Sequence, residues 1–223
     1  MHEFDTPSPI ATVMDIPAGR IQFIAADRAD TVVEVLPADA TERRDVKAAG
    51  QTTVEYGDGV LRITAPEAKS QVFGPSGSVE VTIQLPVGSH IEARAADADL
   101  RGVGQLGDVA FESAQGSVEL DEAAGARLTL QAGDVSVGRL TGPAEISTQK
   151  GDLRIAEATR GTVTLRTGYG EISVGAAAGV SASLDAGTPN GRIHNALKNS
   201  DGAACGLSIH ATTAYGDITA RSL

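Results

Sequence analysis

From residue 89 to the C-terminus the sequence repeats itself about every 18 residues, and no other feature limits the fold so tightly. The segments read SHIEARAADADLRGVGQLG, DVAFESAQGSVELDEAAG, ARLTLQAGDVSVGRLTG, PAEISTQKGDLRIAEATRG, TVTLRTGYGEISVGAAAG, VSASLDAGTPNGRIHNALKNSDGAACG and LSIHATTAYGDITARSL. Their lengths are 19, 18, 17, 19, 18, 27 and 17 residues. Six of the seven carry a glycine, then usually a polar residue, then an aliphatic one: Gly116-Ser117-Val118, Gly133-Asp134-Val135, Gly151-Asp152-Leu153, Gly170-Glu171-Ile172, Gly191-Arg192-Ile193 and Gly216-Asp217-Ile218. The first has the weaker Ala98-Asp99-Leu100.

Each segment holds two short runs in which apolar and polar residues alternate, the period of a half-buried strand. Leu128 and Leu130 lead to one corner, and Val135 and Val137 follow it, with Thr129, Asp134 and Ser136 facing out. Ile146 with Leu153 and Ile155, then Val163 and Leu165 with Ile172 and Val174, repeat the pattern. Helical spacing of apolar residues is missing almost everywhere. Two strands in 18 residues cannot bury their own apolar face. Stacked copies can, each strand pairing in parallel with its equivalent one coil away. The expected fold is all-β, a parallel β-solenoid of about seven coils over residues 89–223. Glycines suit its corners. A thin core also suits a chain with 3% aromatic residues and no tryptophan.

Residues 1–88 break the repeat length but keep strand-like runs at Thr12–Ile16, Arg20–Ala25, Thr31–Leu36, Thr53–Tyr56, Val60–Thr64 and Ser78–Leu85. Turn signals divide them at Pro17-Ala18-Gly19, Gly57-Asp58-Gly59 and Gly74-Pro75-Ser76-Gly77. Residues 38–50 read as a short helix or a charged loop. The region is expected to be a β-rich cap closing the first end of the coils, with the seam at Pro86-Val87-Gly88 and one continuous unit as the outcome.

Taken together, the opening FDTPSPI with GRIQFIAADRADTVVEVLPAD at residues 4–39, the recurring Gly-Asp-Val/Leu coils, and the closing SASLDAGTPNGRIHN and SIHATTAYGDITARSL resemble a known family. It is the bacterial, actinobacterial-type β-strand-repeat domain of unknown function that goes by the name putative adhesin. The resemblance spans nearly the whole chain. It implies a parallel β-solenoid and no established catalytic residues.

Charge and cysteine content exclude several classes. Eighteen Lys and Arg against 29 Asp and Glu give a net charge of −11, the wrong sign for nucleic acid or an anionic membrane. The single Cys205 permits neither a disulfide framework nor a thiolate metal cluster, and without a nearby His it reads as an ordinary thiol. MHEFDTPSPI lacks a basic and an apolar signal region, and no run reaches the roughly 18 apolar residues of a membrane span. The expected location is cytoplasmic, with the cell surface as the alternative.

Two outward columns could carry chemistry. The residues after the corners are Asp99, Ser117, Asp134, Asp152, Glu171, Arg192 and Asp217. Stacked carboxylates could chelate calcium, but calcium takes six to eight oxygens and only one edge carries such turns. The favoured reading is a turn column, each Asp bonding the backbone two residues on. The neighbouring column is Arg101, Glu119, Ser136, Arg154, Ser173, His194 and Thr219. Asp152, Lys150, Arg154 and Glu171 come closest to the acid, base and clamp cluster of a polysaccharide-cleaving solenoid. Mixed signs fit surface ion pairs equally well. Carbohydrate binders tend to present stacking aromatics, and here only Tyr169 and Tyr215 lie near a turn column, which counts against that reading. His2, His90, His194 and His210 are dispersed, and Gly102-Val103-Gly104-Gln105-Leu106-Gly107 lacks the strand–helix context of a dinucleotide loop.

The expectation is therefore a non-enzymatic interaction scaffold with no catalytic, cofactor-binding or metal-ligating residues, no cofactor and an unidentified protein partner. Two features suggest contact surfaces. The sixth segment is about nine residues longer than its neighbours. The last coil, 207–223, has hardly any cap, so its free strand edge predicts a homodimer through that coil.

Overall fold

The computed structural model describes residues 1–66, 77–199 and 206–223. They form two compact units, Met1–Gly116 and Ser117–Leu223. The turn signal at Gly74-Pro75-Ser76 and the thiol of Cys205 lie outside the described residues.

In the second unit the repeat becomes β8 (Val118–Ala132), β9 (Val135–Leu140), β10 (Ala144–Lys150), β11 (Leu153–Ala158), β12 (Gly161–Tyr169), β13 (Ile172–Ala176), β14 (Ala182–Gly187), β15 (Ile193–Ala196), β16 (Leu207–Tyr215) and β17 (Ile218–Ser222). Two parallel ladders result. One runs from the second half of β8 through β10, β12 and β16 to β14. The other runs from the first half of β8 through β9, β11, β13 and β17 to β15. Equivalent residues meet in register, as in Ala144↔Val163↔Ile209↔Leu184 and Leu153↔Ile172↔Ile218↔Ile193. This is the β-solenoid arrangement. Rows of Leu, Ile, Val and Ala face inward, most of them under 2% exposed.

The ladder order departs from chain order at the end. The last coil is not terminal. β16 lies between β12 and β14, and β17 lies between β13 and β15. Residues 207–223 therefore have both strand edges paired, and the premise of a free edge there is corrected. Among the described residues the outermost coil is 182–196, the one with the long segment.

The corner glycines are needed for two reasons at once. Gly151 has φ +148°, a backbone angle that L residues rarely adopt, and a Cβ there would sit 2.0 Å from the Gly133 carbonyl oxygen. Its own N–H donates to the Tyr169 carbonyl in the next coil. Below the corners runs a row of buried threonines. Thr167 Oγ1 donates to the Gly151 carbonyl at 3.0 Å, and Thr213 Oγ1 to the Gly170 carbonyl at 3.0 Å. Thr148 reaches the Gly133 carbonyl at 3.4 Å. Each hydroxyl satisfies a carbonyl that the turn would otherwise bury without a partner.

The first unit is built around β2 (Ala11–Ala26), which covers both of the first two strand-like runs. The strands β1 (His2–Asp5), β3 (Asp30–Pro37), β4 (Thr53–Gly57), β5 (Val60–Thr64), β6 (Val79–Pro86) and β7 (His90–Gln115) complete it. The segment 38–50 is a turn followed by the helix α1 (Arg43–Gln51). On one side β2 pairs in parallel with β7, from Ala11↔His90 to Ile24↔Val103. On the other side β5 and β6 both run parallel to it. Residues 1–88 thus contribute coil-like strands of their own, and β2 bonds across the expected seam at 86–88. Antiparallel strands then close the edges, β3 on β6, β1 on β3 and β4 on β5.

Candidate functional site

The column of corner residues is a hydrogen-bonded ladder. Asp152 N–H donates to Asp134 Oδ1 at 2.8 Å, and Glu171 N–H donates to Asp152 Oδ1 at 2.8 Å. Arg192 N–H donates to Asp217 Oδ1 at 2.9 Å. The carboxylates bond the backbone of the neighbouring coil rather than the backbone two residues on. Stacking brings the next coil's N–H closer than the local one. Chain order fails here too, because Ile172 N–H bonds the Asp217 carbonyl and Ile218 N–H bonds the Arg192 carbonyl. Arg192 therefore stands at the outer end of the acidic column, its guanidinium 2.8 Å from Asp217 Oδ2. The backbone and guanidinium hydrogen bonds from Arg192 hold the Asp217 carboxyl below its usual range.

The second column is also real. Glu119, Ser136, Arg154, Ser173, Thr219 and His194 follow one another in register. Of the four residues expected to come closest to a hydrolytic cluster, Asp152 and Glu171 meet through the Glu171 backbone N–H, while Lys150 and Arg154 stand on different ladders. Asp152 is engaged in the corner ladder, Lys150 is in register with Tyr169 on one ladder, and Arg154 is in register with Ser173 on the other. Among the described residues no group of three or more His, Cys, Asp and Glu is placed to hold a metal. No helix there is long and apolar enough to cross a membrane. His90 accepts the Asp108 N–H through Nδ1, and His194 and His210 sit on different ladders.

Among the described residues a shallow, open depression lies on the outer face of β12, β16 and β14. One part, about 520 Å³, is lined by residues that include Thr162, Thr164, Arg166, Asp185, His210 and Thr212. The other, about 690 Å³, shares Arg166, Gly187 and Thr212 and continues to Thr188, Pro189 and Ala214. Register puts Thr164, His210 and Asp185 in one cross-strand row and Arg166, Thr212 and Gly187 in the next. His210 Nδ1 lies 3.3 Å from Asp185 Oδ2, while Arg166 reaches Glu145 at only 3.9 Å. One residue beyond Ala214, Tyr215 stacks on Tyr169 with centroids 4.9 Å apart and planes 2° apart, both rings at least half exposed.

The sequence puts Tyr169 and Tyr215 near a turn and His210 among the outward positions but does not join them to Arg166 and Asp185. The join depends on β16 entering between β12 and β14, which no local pattern encodes. The threonine row is not among the sequence-based expectations either, although a Thr-x-x-Gly spacing marks it at Thr148-Gln149-Lys150-Gly151, Thr167-Gly168-Tyr169-Gly170 and Thr213-Ala214-Tyr215-Gly216.

Parallel coils, corner glycines and a laddered column define the class: a β-solenoid repeat protein. Within that class the chain belongs to the Toastrack DUF4097 family, whose model matches residues 16–222. No curated protein matches it. Among solved structures it is similar to a putative cell adhesion protein from Clostridium sporogenes ATCC 15579, at 12% identity and TM-score 0.43, covering 100% of this chain and 98% of that one. It is also similar to a putative adhesin from Bacteroides fragilis NCTC 9343, at 13% identity and TM-score 0.45, covering 98% and 95%. A putative adhesin from Parabacteroides distasonis ATCC 8503 follows at 14% identity and TM-score 0.42, covering 100% and 95%.

Proposed function

We propose that this Toastrack chain is a non-enzymatic interaction scaffold that binds its partner through the outer face of β12, β16 and β14. The observation that carries the reading is the contrast between the two polar surfaces of the second unit. Corner carboxylates spend themselves on the backbone of neighbouring coils. The groove instead presents Arg166, Asp185 and His210, each at least half exposed, on a rigid sheet. Rigid strands hold side chains for recognition, while the engagement of the Asp152 carboxylate with the Glu171 backbone N–H speaks against a hydrolytic role for it.

A photo-reactive residue placed at Thr164 in the native cell tests this, with Ser173 on the other ladder as its counterpart. A discrete adduct from position 164 and none from 173 is expected. Equal labelling from both positions sinks the reading. In its narrower form the reading is a cell-surface adhesin, for which a rigid exposed polar face is equally suited. Protease shaving of intact cells separates the two forms. Surface recovery selects the adhesin, and retention inside selects the intracellular scaffold.

A further inference from the structure

We infer that the groove is a saccharide site, a deepening of the interaction reading above that names its ligand class. Thr164, His210 and Asp185 stand side by side across three strands, and Arg166 and Thr212 stand one row further along. Neighbouring strands are about 4.8 Å apart and equivalent rows about 7 Å, so the polar groups form a patch on the scale of one or two sugar rings. The patch mixes both hydrogen-bonding senses. Asp185 accepts, the Arg166 guanidinium donates along its planar fork, and the threonine hydroxyls do either. Vicinal hydroxyls of a saccharide are themselves donors and acceptors and need such a mixture.

The floor supports the same ligand. Gly187 lacks a side chain, and Ala214 and Pro189 are small, so a ring can approach the sheet closely. Methyl and methylene surfaces of this kind pack against the C–H faces of sugars. Apart from the His210 imidazole, no large aliphatic or aromatic side chain among the described residues lines the groove, which gives a lipid chain or a hydrophobic peptide anchor little to fill. The local charges offset one another, with Arg166 facing Glu145 and Asp185 on the same groove, and the chain carries −11, so a polyphosphate has no cationic bed. Just past Ala214, at the corner before Gly170 and Gly216, lies the half-exposed Tyr169–Tyr215 stack. It supplies aromatic surface for a further ring of a bound oligomer.

Titration of the intact, isotope-labelled chain with glucan, N-acetylglucosamine and uronate oligomers tests the assignment by NMR. One of these oligomers is expected to shift the amides of Thr164, Arg166 and Thr212. Asp185→Asn and Arg166→Gln should each weaken that binding roughly tenfold or more, since each removes a hydrogen bond to a charged group. Arg139→Gln, whose partner Glu157 lies on the other ladder, should leave it unchanged. Because Asp185 and Arg166 are exposed, melting curves of the variants should overlay that of the parent. Absence of shifts with all three oligomers at millimolar concentration overturns the saccharide assignment, as does binding that survives both substitutions. A protein adduct from position 164 alongside such silence would leave the scaffold reading standing and replace only its ligand.

Discussion

The outer coil of each unit is made in the same way and finished in opposite ways. In the first unit, strands of residues 60–86 lie outside β2, which precedes them in the chain. In the second, residues 182–196 lie outside β16 and β17, which follow them. In both, strands near an end of the chain, β2 in one unit and β16 with β17 in the other, are tucked one place inward, so that neighbours cover both of their edges. The finish then differs. β3, β1 and β4 add antiparallel strands beside β6 and β5, and Leu61, Ile63, Val79, Val81, Ile83 and Leu85 are all fully buried. β14 and β15 gain no such strands among the described residues, and Ile193 is 48% exposed although it aligns with the buried Ile218. An antiparallel strand ends a parallel repeat because the next coil has no template.

The tucked order is the part of this comparison most open to attack. Ending the chain after Gly206 removes β16 and β17, with the buried Leu207, Ile209 and Ile218. If coils stacked in chain order, the cut would trim an end and leave β14 and β15 intact. In the observed order it removes the bed on which they lie. Amide exchange should show residues 182–196 losing protection together with a stability loss of roughly 5 kcal/mol or more. Persistent protection there would mean that the ladder order is wrong.

A milder pair of substitutions reads the same order without deleting anything. Ile218 and Ile193 are register partners on adjacent strands. Ile218→Ala should cost about 2–4 kcal/mol because its surroundings are closed. Ile193→Ala should cost under about 1 kcal/mol, since half of its surface is already wet. Denaturant unfolding with an unchanged m-value checks both. Equal costs would show that something covers Ile193 as it covers Ile218.

These residues also show what the sequence could convey. Ile193 and Ile218 carry the same Gly-x-Ile signal, and both were legible as inward strand positions. Alternation and corner glycines depend on two or three neighbouring residues, so they survive in one dimension. Which coil lies next to which depends on summed burial over whole strands, and it left no local mark. The groove inherited that blindness, because Asp185 and Arg166 come together only around β16. The hairpin at Gly57-Asp58-Gly59 was readable because its positive φ values at Asp58 and Gly59 need those residue types.

Acid should separate the two finishes. Asp217 is held below its usual range by hydrogen bonds from the Arg192 backbone and guanidinium, and Asp30 by the Arg28 side chain. A depressed carboxyl contributes stability above its unfolded-state value, and that contribution is lost as pH falls through the folded value. Both contacts should therefore weaken below the normal carboxylate range and hold above it. Asp30 belongs to β3, which is paired on both sides, whereas Arg192 lies just before the edge strand β15. Amide exchange at Ile193 should accelerate on acidification while exchange at Thr31 stays slow. Parallel acceleration at both would mean that the antiparallel strands add no local protection.

The smallest effect expected concerns the inner rows. In the second unit the row Ala126, Ala144, Val163, Ile209 and Leu184 is wholly apolar. In the first unit Thr12 stands between Leu61 and Ile91, and its buried hydroxyl has no hydrogen-bond partner. The buried hydroxyls of Thr6 and Thr31 bond one another at 2.8 Å, so burial alone is not the fault. Thr12→Val keeps the branched shape and removes the desolvated oxygen. It should stabilise the chain by about 1 kcal/mol and raise the melting midpoint by about 2–4 °C. An unchanged or lower midpoint would show that this hydroxyl is satisfied in solution, and that the first unit's core is as uniform as the second's.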